Sequence, residues 1–230
     1  MKTHRITAII AGILFLIAAV ASIVGLILYK PILNDAQFIV YDNANKTQIL
    51  WGAFFEIITA FAVIGITSTL FIILKEINLS MAIATVCFRL LEATIIIIGI
   101  ICLLTIITLN QEFGKEVNPN TYSYIMASKS LLAFHNWTFL FGPNIALGPG
   151  TFITGYLLYK AKLVPRIIAI LGLIGGPLIF LSAFFVMFGF YDQISALGIV
   201  VALPVFFYEM SLAFWLIFKG LNTNWLDSKK

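Results

Sequence analysis

The sequence predicts an all-α integral membrane protein, a polytopic bundle of about six transmembrane helices that forms one domain over residues 1–230. Of its 230 residues, 61% are hydrophobic and only 10% are charged, and the mean hydropathy is +1.06. Soluble domains carry about 25% charged residues. A helix needs roughly 20 apolar residues to cross a bilayer, and several runs of that length follow one another. Their uninterrupted apolar character does not match the alternating pattern of a membrane barrel.

The first predicted span admits two interpretations. A basic segment precedes it, and Ala19-Val-Ala21 resembles a signal-peptidase site. Because the apolar run continues to Leu28, we predict an uncleaved helix, whereas cleavage after Ala21 would leave five spans. The predicted spans are 6–28, 49–74, 81–109, 131–159, 167–190 and 196–218.

The distribution of lysine and arginine between the loops predicts the orientation of the chain. Cytoplasmic loops carry the excess of these residues, so we expect both termini in the cytoplasm and the chain in the cytoplasmic membrane. Because the basic residues flank apolar runs, the pI near 9.1 does not indicate a nucleic-acid partner. One side collects nine, Lys2, Arg5, Lys75, Lys160, Lys162, Arg166, Lys219, Lys229 and Lys230, against Lys30, Lys46, Lys115 and Lys129.

The fourth span is predicted to be kinked or broken. It contains Gly142-Pro-Asn144 and Gly148-Pro-Gly150, and a proline removes one backbone hydrogen bond of a helix. Carbonyls freed in this way need a partner inside the membrane, and Asn144 is a candidate for that role. The break either only shapes helix packing or lines a binding site, as in transporters. In the fifth span, the glycines at 172 and 176 predict close helix packing within the chain.

Four ionisable residues fall within the predicted spans: Glu56, Arg89, Glu92 and Glu209. Each costs about 2.5–3.5 kcal/mol or more at the centre of a bilayer. Arg89 and Glu92 are three residues apart and share one helix face, and we expect all four to meet in one layer with Arg89 bridging Glu92 and Glu209. One arginine cannot neutralise three carboxylates, so Glu56 or Glu209 is expected to carry a proton or hold a cation. Alternatively, the charges only specify helix assembly.

Two further polar residues, His135 and Asn144, are secondary candidates for the site. His135 precedes Asn136 and Trp137 near the end of its span, where a histidine serves as an interfacial anchor, a helix-to-helix hydrogen bond or a base. The other histidine, His4, is predicted on the opposite side, so we expect no metal site. No cofactor is expected either, because the sequence has no Gly-rich phosphate loop, Ser-His-Asp order or Cys-x-x-Cys motif.

Three short elements give the chain a resemblance to a known family. They are Arg89-Leu-Leu-Glu92-Ala93, Gly142-Pro-Asn144 with the small residues after it, and Pro165-Arg166 leading into Leu171-Gly-Leu-Ile-Gly-Gly176. In their order and spacing the chain resembles the prokaryotic multi-pass membrane proteins catalogued as domain-of-unknown-function family 4386. The resemblance covers nearly the whole chain. It implies a membrane bundle and a prokaryotic source, and no activity.

Three functions are compatible with the sequence. The first is binding or passage of a small solute, proton or cation through a polar site formed by Glu56, Arg89, Glu92 and Glu209. The second is a structural, regulatory or accessory protein whose charges act only in assembly and whose loops contact a membrane partner. The third is an intramembrane lipid-modifying enzyme with Glu56 or Glu209 as acid or base and Arg89 on an anionic headgroup. The absence of a recognisable nucleophile places an enzyme last.

Overall fold

The computed structural model describes residues 2–34 and 45–222, which form helices and turns and contain no strand. Lys229 and Lys230, which contributed to the predicted orientation, lie outside the described residues. The helices are α1 Lys2–Leu28, α2 Lys30–Asn34, α3 Lys46–Leu74, α4 Leu79–Phe113, α5 Thr121–Leu140, a π-helical turn Phe141–Ala146, α6 Leu147–Lys160, α7 Arg166–Met187 and α8 Ala196–Phe218.

Five of these helices, α1, α3, α4, α7 and α8, are long and apolar enough to cross a membrane. The remaining predicted span, the fourth, corresponds to α5, the π-helical turn and α6, which follow one another without a break in helical conformation. At one end of this stretch Tyr124 packs edge-on against Phe113 of α4, with ring centroids 5.4 Å apart. Just after the other end, the Leu163 carbonyl accepts from the amide of Asn222, 2.8 Å away. The stretch therefore also runs the length of the bundle.

Arg5 joins the two ends of the chain that the structure describes. Its guanidinium donates to the carbonyls of Leu216, Ile217 and Phe218 in the last turn of α8, at 3.0, 2.7 and 3.1 Å. These carbonyls have no partner within their own helix, and a cation there also complements the helix dipole. The start of α1 and the end of α8 thus lie at one end of the bundle, called here the termini end. The opposite end is called the distal end.

Polar residues move one predicted boundary by ten positions. Helix α5 begins at Thr121, whereas its span was predicted to begin at residue 131, because its first ten residues include Thr, Ser and Lys and carry little apolar signal. The Asn120 side chain accepts a hydrogen bond from the amide of Ser123 at 3.2 Å, as an N-cap does. Since α4 also continues to Phe113, the predicted loop over residues 110–130 shrinks to residues 114–120.

A left-handed glycine ends α7 three residues before the predicted position 190. Gly189 has a φ of +77°, which glycine adopts without the steric cost of a Cβ. The amide of Phe190 reaches back to the carbonyl of Phe185 at 3.0 Å, and that of Gly189 to Val186 at 2.9 Å. This pair of bonds is the Schellman arrangement that satisfies the last carbonyls of a helix.

Two apolar clusters enclose a polar middle layer. At the termini end, fully buried side chains of several helices, including Ile73, Leu158 and Leu212, pack into one continuous cluster. At the distal end, Ile49 and Leu103 pack with Tyr29 in a second cluster. Burial of each such side chain stabilises the fold by about 1.5–3 kcal/mol in water-based accounting, although within a bilayer close packing replaces most of that driving force.

Helices α6 and α7 meet backbone to backbone at two glycines. A Cβ added to Gly176 would lie 2.6 Å from the Gly148 carbonyl oxygen and 2.7 Å from the amide nitrogen of Phe152. A Cβ on Gly148 would in turn lie 2.7 Å from the Gly176 carbonyl oxygen. The predicted small-residue contact is therefore a contact within the chain.

Gly176→Ala is expected to destabilise the protein by about 1–3 kcal/mol, the usual cost of overpacking. The obstacle is backbone, which cannot rotate away as a side chain does. The matched control is Gly114→Ala, since a Cβ there would have no neighbour closer than 3.8 Å. Thermal unfolding in mild detergent measures both, and equal apparent Tm values for the two variants would contradict the contact.

Candidate functional site

Arg89 of α4 is the centre of a buried polar cluster that joins three helices. Its Nη1 donates to Oε2 of Glu92 at 3.1 Å, one turn further along α4. Its Nη2 donates to Oε1 of Glu209 on α8 at 3.0 Å and to the Thr151 hydroxyl on α6 at 3.3 Å. The side chains of Arg89 and Glu92 are 5% and 6% exposed, and that of Glu209 is 23% exposed. The predicted bridge of Arg89 between Glu92 and Glu209 is therefore present.

Local sequence explains why these groups can meet. Thr85, Arg89 and Glu92 repeat at helical spacing and share one buried face of α4. The segment that follows the π-helical turn packs against this face through Gly150, where an added Cβ would lie 3.8 Å from Cγ and Nε of Arg89. The guanidinium fits beside this small residue. Thr151, which sequence reasoning missed, follows directly, and its place in a glycine-rich segment was the available signal.

Glu56 lies apart from the Arg89 cluster. With a rise of about 1.5 Å per residue, Glu56 is about 27 Å from the Leu74 end of α3. On the same count Arg89 is about 15 Å from the adjoining Leu79 end of α4. Among the described residues Glu56 forms no ion pair, and its carboxylate packs against Gly25 of α1, where a Cβ would lie 2.7 Å from Oε1. The expected layer of four charges is therefore a cluster of three, Arg89, Glu92 and Glu209, with Glu56 outside it, about 12 Å nearer the distal end than Arg89 and about 7.5 Å nearer than Glu92.

A cavity of about 260 Å³ connects the two parts of the site. It extends along α4 from Arg89 to Ile100, about 16 Å by helical rise. Apolar side chains form most of its wall. The polar residues that line it are Ser22, Tyr29, Glu56, Thr59, Arg89, Glu92, His135, Thr138 and Glu209.

Tyr29 and His135 lie beside each other at the distal part of this cavity. Their rings meet edge to face, with centroids 6.1 Å apart. Tyr29 is 2% exposed, and its hydroxyl has no hydrogen-bond partner in the structure. Buried hydroxyls without a partner are uncommon and costly. The cavity is therefore lined at this level by one polar group, the Tyr29 hydroxyl, that the described residues leave unsatisfied.

His135 joins α5 to α4. Its Nδ1 lies 3.2 Å from the Gly99 carbonyl oxygen, and because a carbonyl only accepts, Nδ1 carries the proton of this hydrogen bond. In the neutral ring Nε2 is then an acceptor. The structure thus contains the hydrogen bond between helices that was one of the three roles predicted for His135. Nε2 is left as an acceptor on a residue that lines the cavity.

The predicted break in the fourth span is a π-helical turn, Phe141–Ala146. Pro143 has no N–H for the carbonyl of Phe139, four residues earlier. The Gln193 side chain, from the segment between α7 and α8, donates to that carbonyl at 3.0 Å and lies 3.4 Å from Oδ1 of Asn144. Asn144, the residue expected to satisfy the freed carbonyl, instead accepts from Gln193. Sequence reasoning missed Gln193 because it lies outside the predicted spans.

In the described part of the chain, no three His, Cys, Asp or Glu side chains are grouped so that they could hold a metal ion. The two cysteines are free, Cys87 exposed and Cys102 buried.

The apolar helices and the buried ionic cluster define the class of this protein as an integral membrane protein with a helical bundle. Residues 10–220 match the family described as Domain of unknown function (DUF4386), so the chain belongs to that family. No curated protein and no solved structure matches the chain.

Arg89→Ala is expected to destabilise the bundle by about 3–5 kcal/mol, because it leaves two carboxylates buried without their cation. Glu209→Gln retains an acceptor for Arg89 and is expected to cost less. Monodisperse yield and thermal unfolding in detergent measure both. Arg166→Ala, at an exposed arginine, is the control, and an Arg89→Ala variant as stable as this control would exclude the structural role.

Proposed function

We propose that this protein binds a small organic cation in the cavity between α1, α3, α4 and α5, with Glu56 as the counter-ion. The observation that carries the proposal is the Glu56 carboxylate, which lines the cavity and has neither an ion pair nor a hydrogen bond among the described residues. A carboxylate in an apolar setting is expensive unless a cation or proton accompanies it.

The other walls of the cavity favour an amine with an apolar body. Most of the wall is aliphatic, and it includes Val63, Ile96 and Ile100. Acceptors lie at the distal part, where the Tyr29 hydroxyl and Nε2 of His135 are available to N–H donors. The volume of about 260 Å³ is just below the range of about 300–1,000 Å³ typical of ligand pockets, which suits a solute of few heavy atoms.

Passage of the solute, or exchange with a proton on Glu56, would make the protein a transporter. The π-helical turn beside the cavity supports this extension, because such irregular backbone within membranes is found where a site is lined. We further infer a prokaryotic cytoplasmic membrane with the termini end in the cytoplasm. The support is the concentration of Lys75, Lys160, Lys162, Arg166 and Lys219 around that end.

A second candidate function is supported by the Arg89 cluster. Arg89 donates three hydrogen bonds to protein groups, and its partners belong to α4, α6 and α8. Such a cluster specifies helix assembly without any ligand. On this reading the protein is a structural or accessory component, and it would retain a polypeptide partner in native mass spectrometry after mild extraction. Retention of a small cation would favour the first candidate.

Glu56→Gln is expected to abolish binding of n-butylammonium and leave the fold intact, because the amide keeps the shape of the carboxylate and removes its charge. Isothermal titration of the purified protein measures the affinity, with n-butanol as the neutral isostere. The expected loss is at least about tenfold, which corresponds to about 1.4 kcal/mol.

The matched control is Glu76→Gln, the same chemical change at an exposed residue in the turn after α3. It should bind n-butylammonium as the unmodified protein does. Equal affinities for n-butylammonium and n-butanol, or an unaltered affinity in Glu56→Gln, would refute the role of Glu56 as counter-ion.

A further inference from the structure

A second cavity, of about 520 Å³, lies at the distal end of the bundle next to the first. Its walls come from the end of α1 and start of α2, from α5, and from the end of α7 with the segment that follows. It is larger than the first cavity, and it is lined by the polar side chains of Lys30, Asn136, Asp192 and Gln193. Lys30, Asn136 and Asp192 are exposed, so this cavity has the character of an entrance.

The two cavities have two wall residues in common, Leu26 of α1 and Phe139 of α5. Both side chains are half-buried, and they stand between the polar entrance and the space that contains Glu56. Displacement of these two apolar side chains, by rotation or by a small shift of helix α5, would join the cavities. The two cavities therefore adjoin at these two side chains.

Gln193 fixes the backbone of this partition. Its amide donates to the carbonyl of Phe139 at 3.0 Å and contacts Asn144 in the π-helical turn at 3.4 Å. The carbonyl is free for this contact because Pro143 supplies no N–H. Gln193 thus lines the entrance and at the same time holds the residue that separates the entrance from the deeper cavity.

At the termini end, a cavity of about 290 Å³ beside Lys162, Trp215 and Asn222 shares no wall residue with the Glu56 cavity in the described part of the chain. Below Arg89, the termini end is filled by the larger apolar cluster, in which Phe15, Leu70 and Leu158 are 2%, 3% and 0% exposed. Protein interiors of this kind are packed about as densely as organic crystals. A solute that approached from this end would have to open the packing of several helices.

We propose that the solute of the Glu56 cavity enters from the distal end through the second cavity, with Phe139 as the partition and Gln193 as the residue that positions it. This inference rests on the proposed function for the nature of the solute, and on the two adjoining cavities for the route. The polar entrance would take up a small cation from the aqueous phase, and the deeper cavity would bind it.

The test is thiol labelling with a membrane-impermeant trimethylammonium methanethiosulfonate, a reagent that carries the positive charge of the proposed solute. In the full chain carrying Cys87→Ser and Cys102→Ala, Ser22→Cys places a thiol on the wall of the deeper cavity. Reference thiols at Lys115→Cys, near the distal end of α4, and Lys162→Cys, near the termini end of α6, establish which face of the membrane each application of reagent reaches.

Ser22→Cys should react from the face that labels Lys115→Cys. Phe139→Trp should slow that reaction about tenfold and Phe139→Ala should accelerate it. The control is Phe134→Trp, at an exposed position of the same helix, which should leave the rate unaltered. Gln193→Ala should alter the rate at Ser22→Cys without altering the rate at Lys115→Cys.

Reaction only from the face that labels Lys162→Cys, or no reaction in a well-folded protein, would overturn the route. A rate that is indifferent to Phe139→Trp would overturn the partition. These outcomes are independent of the proposed function, because the reagent reports access whether or not n-butylammonium binds. Labelling from the distal face without n-butylammonium binding would retain the route and reject the binding role of Glu56.

Discussion

The bond network of a single buried arginine sets the arrangement of the polar layer in this bundle. Arg89 is held within α4 by Glu92 and is joined to α6 and α8 by Thr151 and Glu209. In a hydrocarbon environment these groups have no solvent to return to, so each must find a partner inside the protein. These bonds therefore favour the register in which the three helices pack. The wall of the adjoining cavity is a consequence of that register.

The same requirement explains the irregular fourth span. Helix α5 and helix α6 are separated by a π-helical turn, and the segment after the turn brings Gly150 and Thr151 to Arg89. The turn itself packs on α4, where a Cβ at Gly142 would lie 3.5 Å from the Glu92 carbonyl oxygen. The Arg89–Glu92 pair of α4 and the glycine-proline segments of the fourth span thus contact each other. Their joint occurrence in this chain has a structural reason.

Sequence reasoning reached the parts of this fold that depend on composition and short spacing. Apolar runs located the spans, and the three-residue spacing of Arg89 and Glu92 placed both on one helix face. It failed where position depends on the whole bundle. Glu56 was predicted in the same layer as Arg89, yet helix lengths place the two residues about 12 Å apart in depth. Gln193 carries no signal of its own, since its role depends on how the α7–α8 segment folds back over Phe139.

Because Glu56 is separate from Arg89, its role differs from that of Glu92 and Glu209. Two glutamates that meet an arginine are already compensated in part, and they stabilise the assembly whether or not a ligand is present. Glu56 has no such compensation among the described residues and lines the same cavity. The free-energy cost of its buried charge must be offset by a proton, by water or by a bound cation. An apolar side chain at this position would carry no such cost, and the proposed cation binding accounts for a carboxylate there.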